Sequence, residues 1–333
     1  NLTANGIELP DVAGAVVSGI ASGDWTLSCV RGQITSMTFV FHDGTIRTVP
    51  HGGKSGNKQQ EIGWLSDNQG LPCIPGERKS NAKEYLTSQF LLAGSGAAAQ
   101  AFARCGAKVG INGRRAPEGL DSLLAAMHAA GGEAEFFSAD LSCSADCERL
   151  VGEFVARFGG IDVLVNNAGG LVGRKPLPEI DDGFFDAVMG LNVRSAVMMT
   201  RFALPHLKAA AEASGGTSSV IGVGSIAGHT GGGPGAGLYG VGKAALHNIH
   251  KNWVTYHSQD RIRFNIVSPG TIDTAFHADK SDEIKTKIAA GIPLGRLGCA
   301  EDCAASFLFF ASHALSGYIT GQILDVNGGQ FMP

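Results

Sequence analysis

Residues 219–243 read SVIGVGSIAGHTGGGPGAGLYGVGK: an apolar run, a glycine-rich stretch, then a segment that suits a helix. Ser219 to Val223 has the length and unbroken apolar character of a strand covered on both faces. Comparable runs recur at Lys108 to Ile111, Ile161 to Val165, Arg263 to Val267 and Ile323 to Val326, with helix-length segments between them. Strand alternating with helix calls for right-handed crossovers and a parallel sheet. The expected fold class is therefore α/β, a doubly wound parallel sheet.

Toward the N-terminus the texture changes. From Gly32 to Phe41 and from Thr45 to Val49, polar and apolar residues alternate around His42-Asp43-Gly44, the pattern of a β-hairpin. Residues 1–85 are expected to form a small β-rich region and residues 86–333 the α/β domain. The 333-residue chain carries 44% hydrophobic and 17% charged residues, ample for a buried core. Its 48 glycines fit a fold with many tight loops around a ligand, and a net charge of −4 exerts no general pull toward nucleic acid or an anionic membrane. Cys143 and Cys147, like Cys299 and Cys303, are four residues apart, but no histidine or second pair at ligand spacing accompanies either, so no metal site is expected.

The chemistry concentrates in three places. Tyr239 and Lys243 are four apart, so a helix puts both on one face. An ammonium beside a phenol favours the phenolate, which makes tyrosine a proton donor usable near neutral pH. Ser225, fourteen residues upstream, follows an apolar strand at the end where doubly wound sheets bind ligands, and competes with the reading that it simply caps a turn. Two further strand ends carry small or polar residues: Asn167-Ala168-Gly169, where backbone approaches a cofactor, and Pro269-Gly270-Thr271 with Thr274, which offer donors to a carboxamide.

These segments, together with Leu191-Asn192-Val193 and residues 318–329, resemble the short-chain dehydrogenase/reductase superfamily, whose motifs appear in family order over residues 104–333. The resemblance implies a Rossmann-like fold and an NAD(P)H-dependent carbonyl reductase. In it Tyr239 is the acid, Lys243 tunes it and binds the nicotinamide ribose, Ser225 polarises the carbonyl and Asn192 holds a relay water. Asp140 and Leu141 would contact adenine, and Asn167 to Gly169 would line the cofactor. A homo-oligomer, dimer or tetramer, and a cytoplasmic setting are implied as well. Within the superfamily, residues 113–117, 170–178 and 228–235 are similar to bacterial reductases of alginate breakdown, which reduce a keto-uronate. Gly113 precedes Arg114 and Arg115, a basic pair placed after the second strand, where it suits the extra phosphate of NADPH better than the free hydroxyl of NADH. Arg174, Lys175 and His229 are candidates for a substrate carboxylate.

The family's glycine-rich loop, Thr-Gly-x-x-x-Gly-x-Gly, is absent ahead of Arg104. There the chain offers an apolar Gln89 to Leu92, a turn Gly94-Ser95-Gly96 and helix-forming Ala97 to Arg104. A glycine turn feeding a helix start is an arrangement that binds pyrophosphate, so Gly94 and Gly96 are the substitute candidates. Residues 14–103 resemble part of the TraB family of conjugative-transfer envelope proteins, through residues 36–40, 43–49, 63–68 and 81–87. That resemblance hints at the cell envelope and sets the alternative reading: a non-catalytic scaffold fragment with a reductase passenger.

Overall fold

A computed structural model describes residues 3–4, 7–8, 12–24, 29–49, 63–65, 74–75, 90–93, 96–274 and 281–333. The chain divides into two compact units, Asn1–Ser80 and Asn81–Pro333.

In the first unit, β1 (Thr3–Ala4) pairs antiparallel with β2 (Ile7–Glu8). The long strands β3 (Val12–Asp24) and β4 (Cys29–Phe41) form an antiparallel ribbon, and β4 also pairs with β5 (Ile46–Val49), β6 (Gly63–Leu65) and β7 (Ile74–Pro75). The β4–β5 turn is the one expected from Asp43-Gly44. The Asp43 carboxylate accepts the Thr45 N–H at 2.8 Å, and Gly44 takes φ +85°, which a side chain would oppose.

The second unit is built on seven parallel strands in the order β10-β9-β8-β11-β12-β13-β14. They are β8 (Phe90–Ala93), β9 (Lys108–Gly113), β10 (Glu133–Ser138), β11 (Val163–Asn166), β12 (Ser218–Val223), β13 (Ile262–Pro269) and β14 (Ile323–Val326). The helices between them are α1 (Gly96–Arg104), α2 (Leu120–Ala129), α3 (Ser144–Phe158), α4 (Asp182–Met189), α5 (Ser195–Ser214), α6 (Ile226–Thr230), α7 (Gly237–His257), α8 (Asp282–Ala290), α9 (Ala300–Ala311) and α10 (His313–Ser316). One face of the sheet packs against α1, α2 and α9 through Phe102, Met127, Phe307 and Phe310. The other packs against α3 and α5 through Leu150, Phe154, Met199 and Leu207. Two covered faces account for the continuous apolar reading of the central strands.

The first βα unit is formed by β8 and α1. Phe90 to Ala93 pair with Lys108 to Ile111 on one side, and Leu91 and Leu92 with Val163 and Leu164 on the other. Helix α1 follows, with Ala98, Ala99, Phe102 and Ala103 buried. Gly94 and Ser95 lie outside the described residues. Strand β10 was not expected from the sequence. It is the sheet edge, its ends are exposed, and Glu133 and Glu135 face Arg157 at 3.7 and 2.6 Å, so it never reads as an apolar run.

One buried cation ties the far edge of the sheet together. Arg263 on β13 is 3% exposed, and burial lowers its pKa to about 10. Its guanidinium donates to Thr217 Oγ1 at 2.7 Å, Phe310 O at 2.7 Å, Ser316 Oγ at 2.9 Å and Ala311 O at 3.2 Å. The two carbonyls are at the C-terminal end of α9, where the helix dipole favours a cation. Arg263→Met is expected to destabilise the fold by about 3 kcal/mol, through the loss of four hydrogen bonds from a buried charged group. A urea midpoint unchanged from that of the unsubstituted protein would contradict this account.

Candidate active site

The strand order of the second unit reverses between β8 and β11, and at such a switch point the crevice beyond the strand carboxyl ends takes ligands. Two clefts lie along this rim and share Asn167 and Gly169. One, of about 240 Å³, is lined by Gly113, Arg114, Asp140, Leu141 and Asn167 to Gly169 among others. The other, of about 390 Å³, is lined by Ser225, Tyr239, Lys243, Pro269, Gly270, Thr271 and Thr274, together with Arg174. Gly96 is the exposed first residue of α1, Arg115 is exposed without lining either cleft, and Asn192 is fully buried beside the rim.

Helix α7 positions the tyrosine and lysine. It begins with three glycines in six residues, poor helix material at about 1 kcal/mol each. Contact explains two of them. A Cβ on Gly240 would stand 2.5 Å from Gly231 O, and one on Gly242 would stand 3.0 Å from Asn192 Cβ. The helix therefore sits hard against its neighbours, with Tyr239 and Lys243 one turn apart facing the cleft. The Lys243 ammonium donates to Val223 O at 2.8 Å and lies 5.7 Å from the Tyr239 ring centroid.

The electrostatics differ from the sequence expectation. Burial raises the Tyr239 pKa, and a hydrogen bond with the Ser225 side chain opposes that rise. Lys243 is itself 3% exposed, and burial brings its pKa down to about 8. Both charged forms pay for desolvation, and the ammonium is directed at the Val223 carbonyl. Ser225 takes the capping role that one of its sequence readings offered. It is the N-cap of α6, accepting the Ala227 N–H at 3.1 Å, and its hydroxyl also meets Tyr239.

Asn192 sits in a π-helical turn, Gly190–Arg194, that runs into α5. Its side-chain amide donates to Gly170 O and Val188 O, both at 2.9 Å, and its oxygen accepts Gly170 N–H at 3.0 Å. The side chain thus ties the loop after β11 to the helix that precedes the π-helical turn. The loop must come close: a Cβ on Gly169 would stand 2.7 Å from Lys243 Nζ and 2.9 Å from Asn192 Oδ1.

Other candidates are engaged in ways the sequence did not announce. Thr271 N–H and Oγ1 meet Gln330 Oε1 at 2.9 and 3.1 Å, which ties the loop after β13 to the C-terminal segment. Asp140 accepts from the Ser142 hydroxyl at 2.7 Å and backbone at 3.0 Å, which with Arg114 lowers its pKa. Of the three carboxylate candidates, Arg174 alone lines the cleft, where it donates to Pro234 O at 2.9 Å. Lys175 pairs with Asp181 at 2.6 Å, and His229 Nε2 meets Asp325 Oδ1 at 3.1 Å away from the cleft. Gln330 and His247, whose Nε2 accepts the Ser225 N–H at 3.4 Å, are the neighbours that sequence reading missed. Among the described residues, no cluster of His, Cys, Asp and Glu is arranged to hold a metal, and no helix is long and apolar enough to cross a membrane.

This architecture has many relatives. Residues 95–330 match the family described as enoyl-(acyl carrier protein) reductase. The 3-oxoacyl-[acyl-carrier-protein] reductase of Thermotoga maritima is 31% identical over 228 residues, 68% of this chain and 89% of its own. An uncharacterized oxidoreductase of Mycobacterium tuberculosis is 36% identical over 243 residues, 72% of this chain and 89% of its own. Among solved structures, the NADH-dependent reductase A1-R' responsible for alginate metabolism is 53% identical with a TM-score of 0.70, covering 75% of this chain and all of that one. Its complex with NAD aligns at 51% identity, with a TM-score of 0.68 over 76% of this chain and all of that one. With this fold and these relatives, the chain belongs to the short-chain dehydrogenase/reductase superfamily of oxidoreductases.

Proposed function

We propose that the chain reduces the carbonyl group of a small anionic keto acid with a nicotinamide nucleotide, and that the alginate-derived keto-uronate is its substrate. The observation that carries this reading is the single cleft holding Ser225, Tyr239 and Lys243 beside the guanidinium of Arg174. Similarity to a reductase responsible for alginate metabolism supports the choice of substrate.

The residues fit a dinucleotide. Two clefts joined at Asn167 and Gly169 provide room along the strand ends, and glycine at 169 lets the backbone approach Lys243 where a Cβ would collide. Gly113, Arg114, Asp140 and Leu141 would hold the adenosine half, with Gly94 and Gly96 at the pyrophosphate. Lys243, Pro269, Gly270, Thr271 and Thr274 would hold the nicotinamide half. When bound, the nucleotide supplies hydride to the substrate's carbonyl carbon. Tyr239 gives its phenolic proton to the carbonyl oxygen while the Ser225 hydroxyl hydrogen-bonds that oxygen. The Lys243 charge stabilises the phenolate that remains. Arg174 pairs with the substrate carboxylate and orients the carbonyl.

For the nucleotide, Arg114 in the first cleft and Arg115 beside it favour NADPH, because paired guanidinium groups suit a phosphate monoester. The NADH-dependent A1-R' is a precedent for the other choice. A dimer or tetramer is the assembly we expect.

Turnover is tested by following NADPH oxidation with the keto-uronate as substrate. Tyr239→Phe is expected to lower kcat by about 100-fold or more, the loss that follows removal of a positioned acid, with nucleotide affinity nearly unchanged. A substantial rate retained in Tyr239→Phe would remove Tyr239 from the mechanism. Arg174→Ala is expected to raise KM for the keto acid by about 10-fold, the usual worth of a charge-assisted contact, and to leave KM for an uncharged aldehyde unaltered. Equal effects on both substrates would sink the carboxylate assignment.

A further inference from the structure

His247 lies four residues beyond Lys243 on the same face of α7 and takes no part in the chemistry above. It is 6% exposed, and its Nε2 accepts the Ser225 N–H at 3.4 Å. Two glycines of the serine loop make room for its ring. A Cβ on Gly228 would stand 2.7 Å from its Cε1, and one on Gly224 would stand 2.8 Å from its Cδ2. On its other side is the His229 ring, 4.5 Å away between centroids. His229 is held in turn by Asp325 of β14 at 3.1 Å and stacks on Phe331 at 4.6 Å and 16°.

We propose that His247 is the positioning residue for Ser225, locking the serine loop to the helix that carries Tyr239 and Lys243, with the His229–Asp325 pair bracing it from behind. This rests on the reductase reading above. A filler role would be served as well by an apolar ring, without burying an imidazole that needs partners. Ser225 is an N-cap, so its own N–H has no intrahelical acceptor, and His247 provides one. Tyr239, Lys243 and His247 stand at successive intervals of four on α7. One rigid helix therefore sets both the proton donor and the main chain behind the serine, which fixes the Ser225 hydroxyl relative to the phenol.

The arrangement requires a neutral ring with Nε2 unprotonated. Burial foremost, then the neighbouring His229, lowers the His247 pKa to about 4, while Asp325 opposes and His250 and Lys243 reinforce that shift. Neutral pH lies well above it, so the acceptor is present under working conditions.

The test is a double-mutant cycle on the full chain, with nucleotide affinity and thermal midpoint measured for each variant. His247→Phe is expected to lower kcat by about 10-fold, the order of loss that follows slight misplacement of a reacting group, with nucleotide Kd unchanged. His247→Gln, whose side-chain oxygen reaches the same N–H, is expected to recover most of the rate. In a Ser225→Ala background, His247→Phe should cost nothing further. An equal loss in both backgrounds, or an unchanged kcat in folded His247→Phe, would overturn the proposal. Should the phenylalanine variant fail to fold, the glutamine variant decides: a rate as low as that of Ser225→Ala rules the positioning role out, and a retained rate supports it. Should the unsubstituted chain reduce no carbonyl compound, the functional reading fails, and 15N NMR of the histidines judges this one alone. An accepting, unprotonated Nε2 with a slowly exchanging Ser225 amide supports it; a proton on Nε2 at pH 7 refutes it.

Discussion

The second unit depends on the parallel pairing of a four-residue strand, β8, between β9 and β11. Without it the sheet would fall into a pair of strands, β9 and β10, and a group of four, β11 to β14. The reversal of strand order would vanish, and with it the crevice at the strand ends. Helix α1 anchors this strand through Phe102 and three alanines in the core. Gly132 shows how closely the next turn packs against α1: a Cβ there would stand 2.8 Å from the Ala103 Cα. Small residues and close packing thus hold the first βα unit in place.

The rim of the crevice is organised around α7 in the same manner. Glycines at 240 and 242 sacrifice helix propensity so that the helix can touch the α6 loop and the π-helical turn around Asn192. π-helical turns are concentrated at functional sites, and this one aims a buried amide at the loop that passes closest to Lys243. Desolvation sets the protonation balance: it raises Tyr239 and lowers Lys243, so neither group in isolation sits at the pKa that the bare sequence pair suggested.

The fold was legible where burial makes sequence simple. Strands β11, β12 and β13 read directly from their apolar runs, and Phe90-Leu91-Leu92 with its alanine-rich follower read as strand and helix. Edge strand β10 was opaque because its polar residues face Arg157 and solvent. Ser225, Tyr239 and Lys243 were legible as a group because a strand end and a helical interval of four are local features. Pairings across long separations were not: Thr271 with Gln330 spans 59 residues, and His229 with Asp325 spans 96. Nor does local pattern say that Lys175 faces Asp181 while Arg174 faces the cleft. Those outcomes depend on which loops the tertiary fold brings together.

The account stands on whether this first βα unit, with Gly94-Ser95-Gly96 following its strand in the sequence, binds a dinucleotide. A fluorescence titration of the full chain with NADPH, and with NADH in parallel, measures that directly. The account predicts saturable binding with Kd on the order of micromolar, the range common for enzyme ligands, and weaker binding of NADH. A chain shown to be folded that binds neither nucleotide would contradict it and would leave Ser225, Tyr239 and Lys243 as relics of a lost activity.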